Sequence, residues 1–174
     1  MSLHLPDELA ALRELLADWA AHQHSDLVVE IGEDRGLDHG ALCWEVLGAA
    51  GLVGPRCWCR DPGWHSVPHD DRLMHERLRV RVPAADAPAW MTHTLGGSLV
   101  HRSGGPSPNA RALAEPIVEL LGPDADWRAN GYAAHPAPAG GNRSWSPVTP
   151  FTFDAALVGI GGGRTVVAVA TGED

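Results

Sequence analysis

The chain has 174 residues, of which 44% are hydrophobic and 20% charged, with a formal net charge of −9. That size and mixture fit one globular domain spanning residues 1–174 and exclude a disordered chain, which carries less apolar and more charged content. The negative balance excludes general nucleic-acid binding and docking on anionic membranes, both of which need a surplus of cations.

All 13 basic residues are arginine. With abundant Ala, Gly and Pro, this reads as the codon usage of a GC-rich, bacterial genome. No run approaches the ~20 apolar residues of a spanning helix, and the start lacks the basic-then-apolar order of a leader. Cys43, Cys57 and Cys59 are odd in number, and the last two lie too close for an easy bridge. Reduced thiols and a cytoplasmic location are therefore expected.

In chain order, the spacing of Leu9, Leu12, Leu16 and Trp19 or Ala20 predicts a helix from Pro6 to His22, with Asp7 and Glu8 in its first turn. Leu27 to Ile31 reads as a short strand. Residues 41–50 fit a strand with Leu42, Trp44 and Val46 on one face. They also fit a helix capped by Asp38 with Leu42, Val46, Leu47 and Ala50 inward. Strand is preferred, because Gly40, Gly48 and Gly51 weaken a helix. Leu52-Val53 and Arg56 to Cys59 continue as extended chain. Asp61 to Asp71 is a loop.

Leu73 to Val82 alternates apolar Leu78, Val80 and Val82 with Arg77, Arg79 and Arg81, the pattern of a strand solvated on one face. Pro88 to Leu95 and Asn109 to Leu121 are expected helices. Asn109 is the expected cap of the second, and Pro116 its kink or true start. Gly122 to Thr149, rich in Pro, Gly and Asn, reads as a long surface excursion. Two aliphatic runs, Asp154 to Ile160 and Arg164 to Ala170, flank Gly161-Gly162-Gly163. They form a β-hairpin central to the sheet with both faces covered. The expected fold is α+β: a mainly antiparallel sheet of five to six strands, packed by an N-terminal helix and a later helix pair.

No local motif carries chemistry. The glycines after Gly159 precede a strand, so they make a turn and not a dinucleotide loop, which needs a following helix. Cys57, Cys59, His65, His69 and His75 offer thiol and imidazole ligands over a short span, of the kind zinc accepts. One residue between the cysteines matches no finger or ribbon, however. The set reads as unligated thiols with surface imidazoles, and neither a stoichiometric metal nor another cofactor is expected. Arg77, Arg79 and Arg81 on one strand face present a ladder of guanidiniums to a carboxylate or phosphate, or else pair with acids on the neighbouring strand. Seven tryptophans are an unusual number. Trp19, Trp44 and Trp90 fall on apolar faces. Trp58, Trp64, Trp127 and Trp145 fall in or beside loops, where a large amphipathic ring suits a binding surface.

Two readings of function follow. The first is a non-catalytic binding or accessory module, possibly of the immunity type, that meets another protein. The second is a small metal-binding protein or enzyme that uses the segment from Cys57 to His75, with the arginines holding a small anionic ligand.

Overall fold

The computed structural model describes residues 5–22, 27–54, 67–96, 99, 107–131, 146–151 and 153–172. Ten elements follow in order: α1 (Leu5–Ala21), β1 (Leu27–Glu33), α2 (His39–Ala49), α3 (Asp71–Arg77), β2 (Val80–Val82), α4 (Ala87–Leu95), α5 (Pro108–Leu121), β3 (Asp126–Ala129), β4 (Phe153–Gly161) and β5 (Arg164–Gly172). The strands form one five-stranded sheet in the order β1-β5-β4-β3-β2. Every pairing is antiparallel. The fold is α+β, as the alternating and helical patterns predict.

The hairpin β4–β5 is the centre of this sheet. Gly162 and Gly163 turn it with φ of 58° and 71°, a left-handed pair that favours glycine and matches the twist of the strands. Its side chains are buried on both faces. On one face Leu157, Val166, Ala168 and Ala170 pack with Leu9, Leu12 and Leu16 of α1, Trp90 and Met91 of α4, and Ala114 and Ile117 of α5. On the other, Ala156, Val158, Val167 and Val169 pack with Leu42, Cys43, Val46 and Leu47 of α2 and Met74 of α3. Helices therefore cover both sides, and a strand buried twice is apolar at successive positions.

Four expectations are corrected. Residues 41–50 are mostly helix, not strand. Asp38 Oδ1 accepts the Ala41 N–H at 2.9 Å and starts α2. Gly40 is required by packing, since a Cβ there would lie 2.5 Å from His75 Cβ on α3. Close helix approach outweighs the propensity cost of glycine.

Leu73 to Val82 is a helix followed by a three-residue strand, not one long strand. Asp70 Oδ1 accepts the Leu73 N–H at 2.7 Å, capping α3. Met74 and Leu78 then point inward four residues apart, while Arg72 and Glu76 pair outside at the same spacing. Alternation holds only at the end of the stretch, where β2 begins.

The start of the Gly122–Thr149 excursion is a strand, β3. Its Trp127 has no exposed surface and pairs across the sheet with Gly159. A Cβ at Gly159 would lie 2.5 Å from the Trp127 ring, so the glycine makes room for the indole. In α5 the cap is Ser107, whose Oγ accepts from Asn109 N. Pro116 sits inside α5 on its exposed side, so the helix carbonyl that proline cannot serve is on the solvent face.

Candidate functional site

Of the candidate arginines, only Arg81 lies within a strand. Arg77 ends α3, and Arg79 is exposed between α3 and β2. Arg81 faces Arg128 across the β2–β3 ladder. The two like charges share an acid: Arg81 Nε and Arg128 Nε each lie 3.5 Å from Asp126 Oδ1. His39 closes the cluster, with its Nε2 3.0 Å from the Asp126 carbonyl oxygen. The three-rung ladder is thus replaced by a cross-strand arginine pair that shares one carboxylate, which offsets one of the two charges.

Trp58, Trp64, Trp145, Cys57, Cys59 and His65 lie outside the described residues. His69 and His75 are exposed and sit near acids: His69 beside Asp70 and His75 beside Asp38, each at 3.6 Å. The Ala41 N–H, and secondarily His75, hold the Asp38 carboxyl below its ordinary value. Among the described residues, no set of three or more His, Cys, Asp or Glu side chains is placed to hold a metal ion. Trp127 is a core residue, not a loop residue on a surface.

A second polar cluster is fully enclosed. Asp154 opens β4 with no exposed surface. Its Oδ1 accepts from Asn130 Nδ2 at 2.6 Å. Its Oδ2 accepts from Val148 N at 2.9 Å and from the N and Oγ1 of Thr149 at 2.7 Å each. Asn130 in turn donates to Ser146 O and accepts from Ala156 N. Burial pushes the Asp154 carboxyl up to about 6, against the pull of these donors. Nearby Cys43 is also buried, and desolvation with the Asp154 charge drives its thiol far up. A thiol held protonated is a poor nucleophile. With Asp154 buried and accepting from four donors, the cluster fixes segment 146–149 to the sheet.

An accessible concavity lies along the outer edge of β1. A cavity of about 530 Å³ opens between α1 and α2, lined by Leu9 and Arg13 of α1, Glu30, Gly32 and Glu33 of β1, and Leu42, Glu45, Val46 and Ala49 of α2, together with Arg35, Thr165 and Val167. A smaller one of about 220 Å³ continues along Val29, Glu30 and Ile31 beneath Arg13, Leu16 and Ala17. Three of the lining charges are already paired: Arg35 and Glu45 with each other, and Glu33 with Arg164 at 3.2 Å. Glu30 is exposed and makes no ion pair among the described residues.

Arg13 crosses the cleft and donates from Nε to Ile31 O at 2.7 Å. Asp34 N donates to Gly163 O at 3.0 Å, one step beyond the Glu33–Arg164 pair. Antiparallel strands turn alternate residues toward their neighbour, so Val28, Glu30 and Gly32 face β5. Val29, Ile31 and Glu33 turn their N–H and C=O outward. The cleft is therefore a polar groove with strand backbone as its floor.

None of these cleft residues stands out in the sequence as a site. The one available signal is Glu30, an acid inside the aliphatic run LVVEI, which marks an edge strand rather than a central one. Comparison with family models, with curated proteins and with solved structures finds no match to this chain. The fold and the cleft define an α+β domain with an open, acidic-lined sheet edge.

Proposed function

We propose that this chain is a non-catalytic binding module, a bacterial cytoplasmic accessory or immunity-type protein, which engages another protein through the β1-edge cleft. One observation carries the reading: a concavity of about 530 Å³ runs along a strand edge that no other strand pairs among the described residues, and carboxylates outnumber guanidiniums on its wall. Clefts with a few convergent polar groups are default binding sites, and edge strands are ready templates for pairing. The net charge of −9 favours a basic partner. The alternative, an anion held by Arg77, Arg79 and Arg81, is disfavoured by the Asp126 carboxylate between Arg81 and Arg128.

The test is charge reversal in the cleft. The partner captured from the source cells should lose at least about tenfold in affinity when Glu30→Lys and Glu45→Lys are introduced together, and its wild-type affinity should fall with salt. Arg79→Glu on the opposite edge should leave the affinity within about twofold. Equal loss from the two sites, or none from the cleft, refutes the reading. Metal analysis separates it from the metal-binding alternative: about one zinc per purified chain would favour the latter.

A further inference from the structure

Resting on that reading, we infer that the cleft takes its partner by strand addition: an extended segment with alternating apolar and basic residues pairs with the outer edge of β1 and displaces Arg13 from the Ile31 carbonyl. The backbone carries the first part of the argument. Outward N–H and C=O groups of Val29, Ile31 and Glu33 are the groups a sixth strand would use. Arg13 Nε satisfies the Ile31 oxygen, and the two cavities lie on either side of that contact, sharing Arg13 and Glu30. The edge is seven residues long and contains no proline. The opposite edge, β2, is three residues long and is followed at once by Pro83, a usual way of blunting an edge. Among the described residues, only one end of the sheet is thus built to accept a strand of useful length.

The side chains specify the occupant. An added strand places alternate residues over the two faces of the sheet. Over the α1 side it meets Leu9, Leu16 and Ala17 beside Val29 and Ile31, which suits small aliphatic residues. Over the α2 side it meets Glu30, which has no ion pair among the described residues, beside a Glu45 already held by Arg35, which suits a basic residue opposite Glu30. A second copy of this chain does not fit, because β1 carries Glu30 and Glu33 and no basic residue. Pairing two such edges gathers carboxylates alone, and like charges on adjacent strands are destabilising. Arg13 acts as a removable guard: it covers one edge carbonyl in the free protein, and its long, exposed side chain can swing away without disturbing the core.

The experiment uses the full chain and a blocked seven-residue peptide of alternating valine and lysine. Two controls replace lysine by glutamate, or carry methyl groups on alternate backbone nitrogens. The lysine peptide should slow amide exchange at Val29, Ile31 and Glu33, leaving Val28, Glu30 and Gly32 unchanged. Both controls should bind at least about tenfold more weakly, since one loses the charge match and the other the ladder. Arg13→Ala should tighten the lysine peptide several-fold by freeing the Ile31 carbonyl, and Glu30→Arg should weaken it about tenfold. If the methylated peptide binds equally well, strand addition is wrong, while the cleft stands as a binding site. Slow exchange at Val29 and Ile31 without peptide would mean that the edge is already occupied, which also overturns the inference. The binding-module reading falls separately, if cleft charge reversal leaves the cellular partner bound.

Discussion

The carboxyl of Asp154 is surrounded by donors and has no exposed surface. Replacing it by Asn keeps the shape but turns one acceptor into a donor. That donor must face either Asn130 Nδ2 or the N–H groups of Val148 and Thr149. Leaving buried donors unpaired costs about 1–3 kcal/mol each, so Asp154→Asn should lose roughly 2–4 kcal/mol in chemical denaturation, with segment 146–149 loosening first. Protonation adds a pH signature. The folded-state value of about 6 stands above the ordinary 3.8 because of burial. At pH 7.5 the group is ionised in both states, and its burial costs about 3 kcal/mol by the usual conversion. As pH falls through 6 the folded state takes up the proton first, and the cost is relieved by pH 3.8. Wild type should therefore gain stability relative to Asp154→Asn between pH 7.5 and 4.5, by about 2 kcal/mol. An unchanged or narrowing gap would show that the donors hold Asp154 ionised. At the same scale, the acid was legible in the sequence only as a strand boundary. Nothing local distinguishes a carboxylate that begins a strand in water from one sealed beneath a returning segment.

Helices and strands here meet through glycines at places where propensity alone argues against them. Gly159 lies in the middle of the sheet because the Trp127 ring occupies the space above it, and a Cβ would also approach Leu121 Cδ2 at 2.8 Å. Gly159→Ala should cost about 1–3 kcal/mol, the range for forcing extra volume into a packed core. Combining it with Trp127→Phe should give less than the sum of the single losses, because the smaller ring vacates the contested space. Strict additivity would place the clash elsewhere. Gly40 makes the same point between α2 and α3. This is where sequence reasoning misjudged the elements. Gly40 and Gly48 counted against a helix, yet Asp38 as its cap was already visible, and the cap with close packing decides the matter. In residues 73–82 the alternation covers only Arg77 to Val82, and the helical signal ahead of it is Asp70 as cap followed by Met74 and Leu78 four residues apart. By contrast, α1 was legible from its helical spacing, β1 from its aliphatic run, and the β4–β5 hairpin from two continuous apolar runs around a glycine turn. The cleft was not, since its walls come from α1, β1 and α2 and exist only once these are assembled.

Across the whole molecule, burial is uneven. The hairpin β4–β5 is covered on both faces, by α1, α4 and α5 on one side and α2 and α3 on the other. Among the described residues, β1 is paired along one edge only. Opening the hairpin exposes both cores together, so its amides should exchange only through global unfolding. For Leu157, Val158, Val167 and Ala168 the exchange free energy should match that of equilibrium denaturation. α1 can leave with a smaller loss. Its anchors are Leu9, Leu12 and Leu16, the Arg13 bond to Ile31 O and the Trp19 Nε1 bond to Leu95 O at 2.9 Å. Exchange at its exposed face should therefore report a lower free energy than the hairpin. Trp19→Phe keeps most of the ring but drops a hydrogen bond worth about 0.5–1.5 kcal/mol net. It should lower protection in α1 by roughly that amount and leave the hairpin tied to the global value. If the variant instead lowers α1 and the hairpin equally, relative to global stability, the two unfold as one unit. The cleft between α1 and α2 would then be as rigid as the central strands.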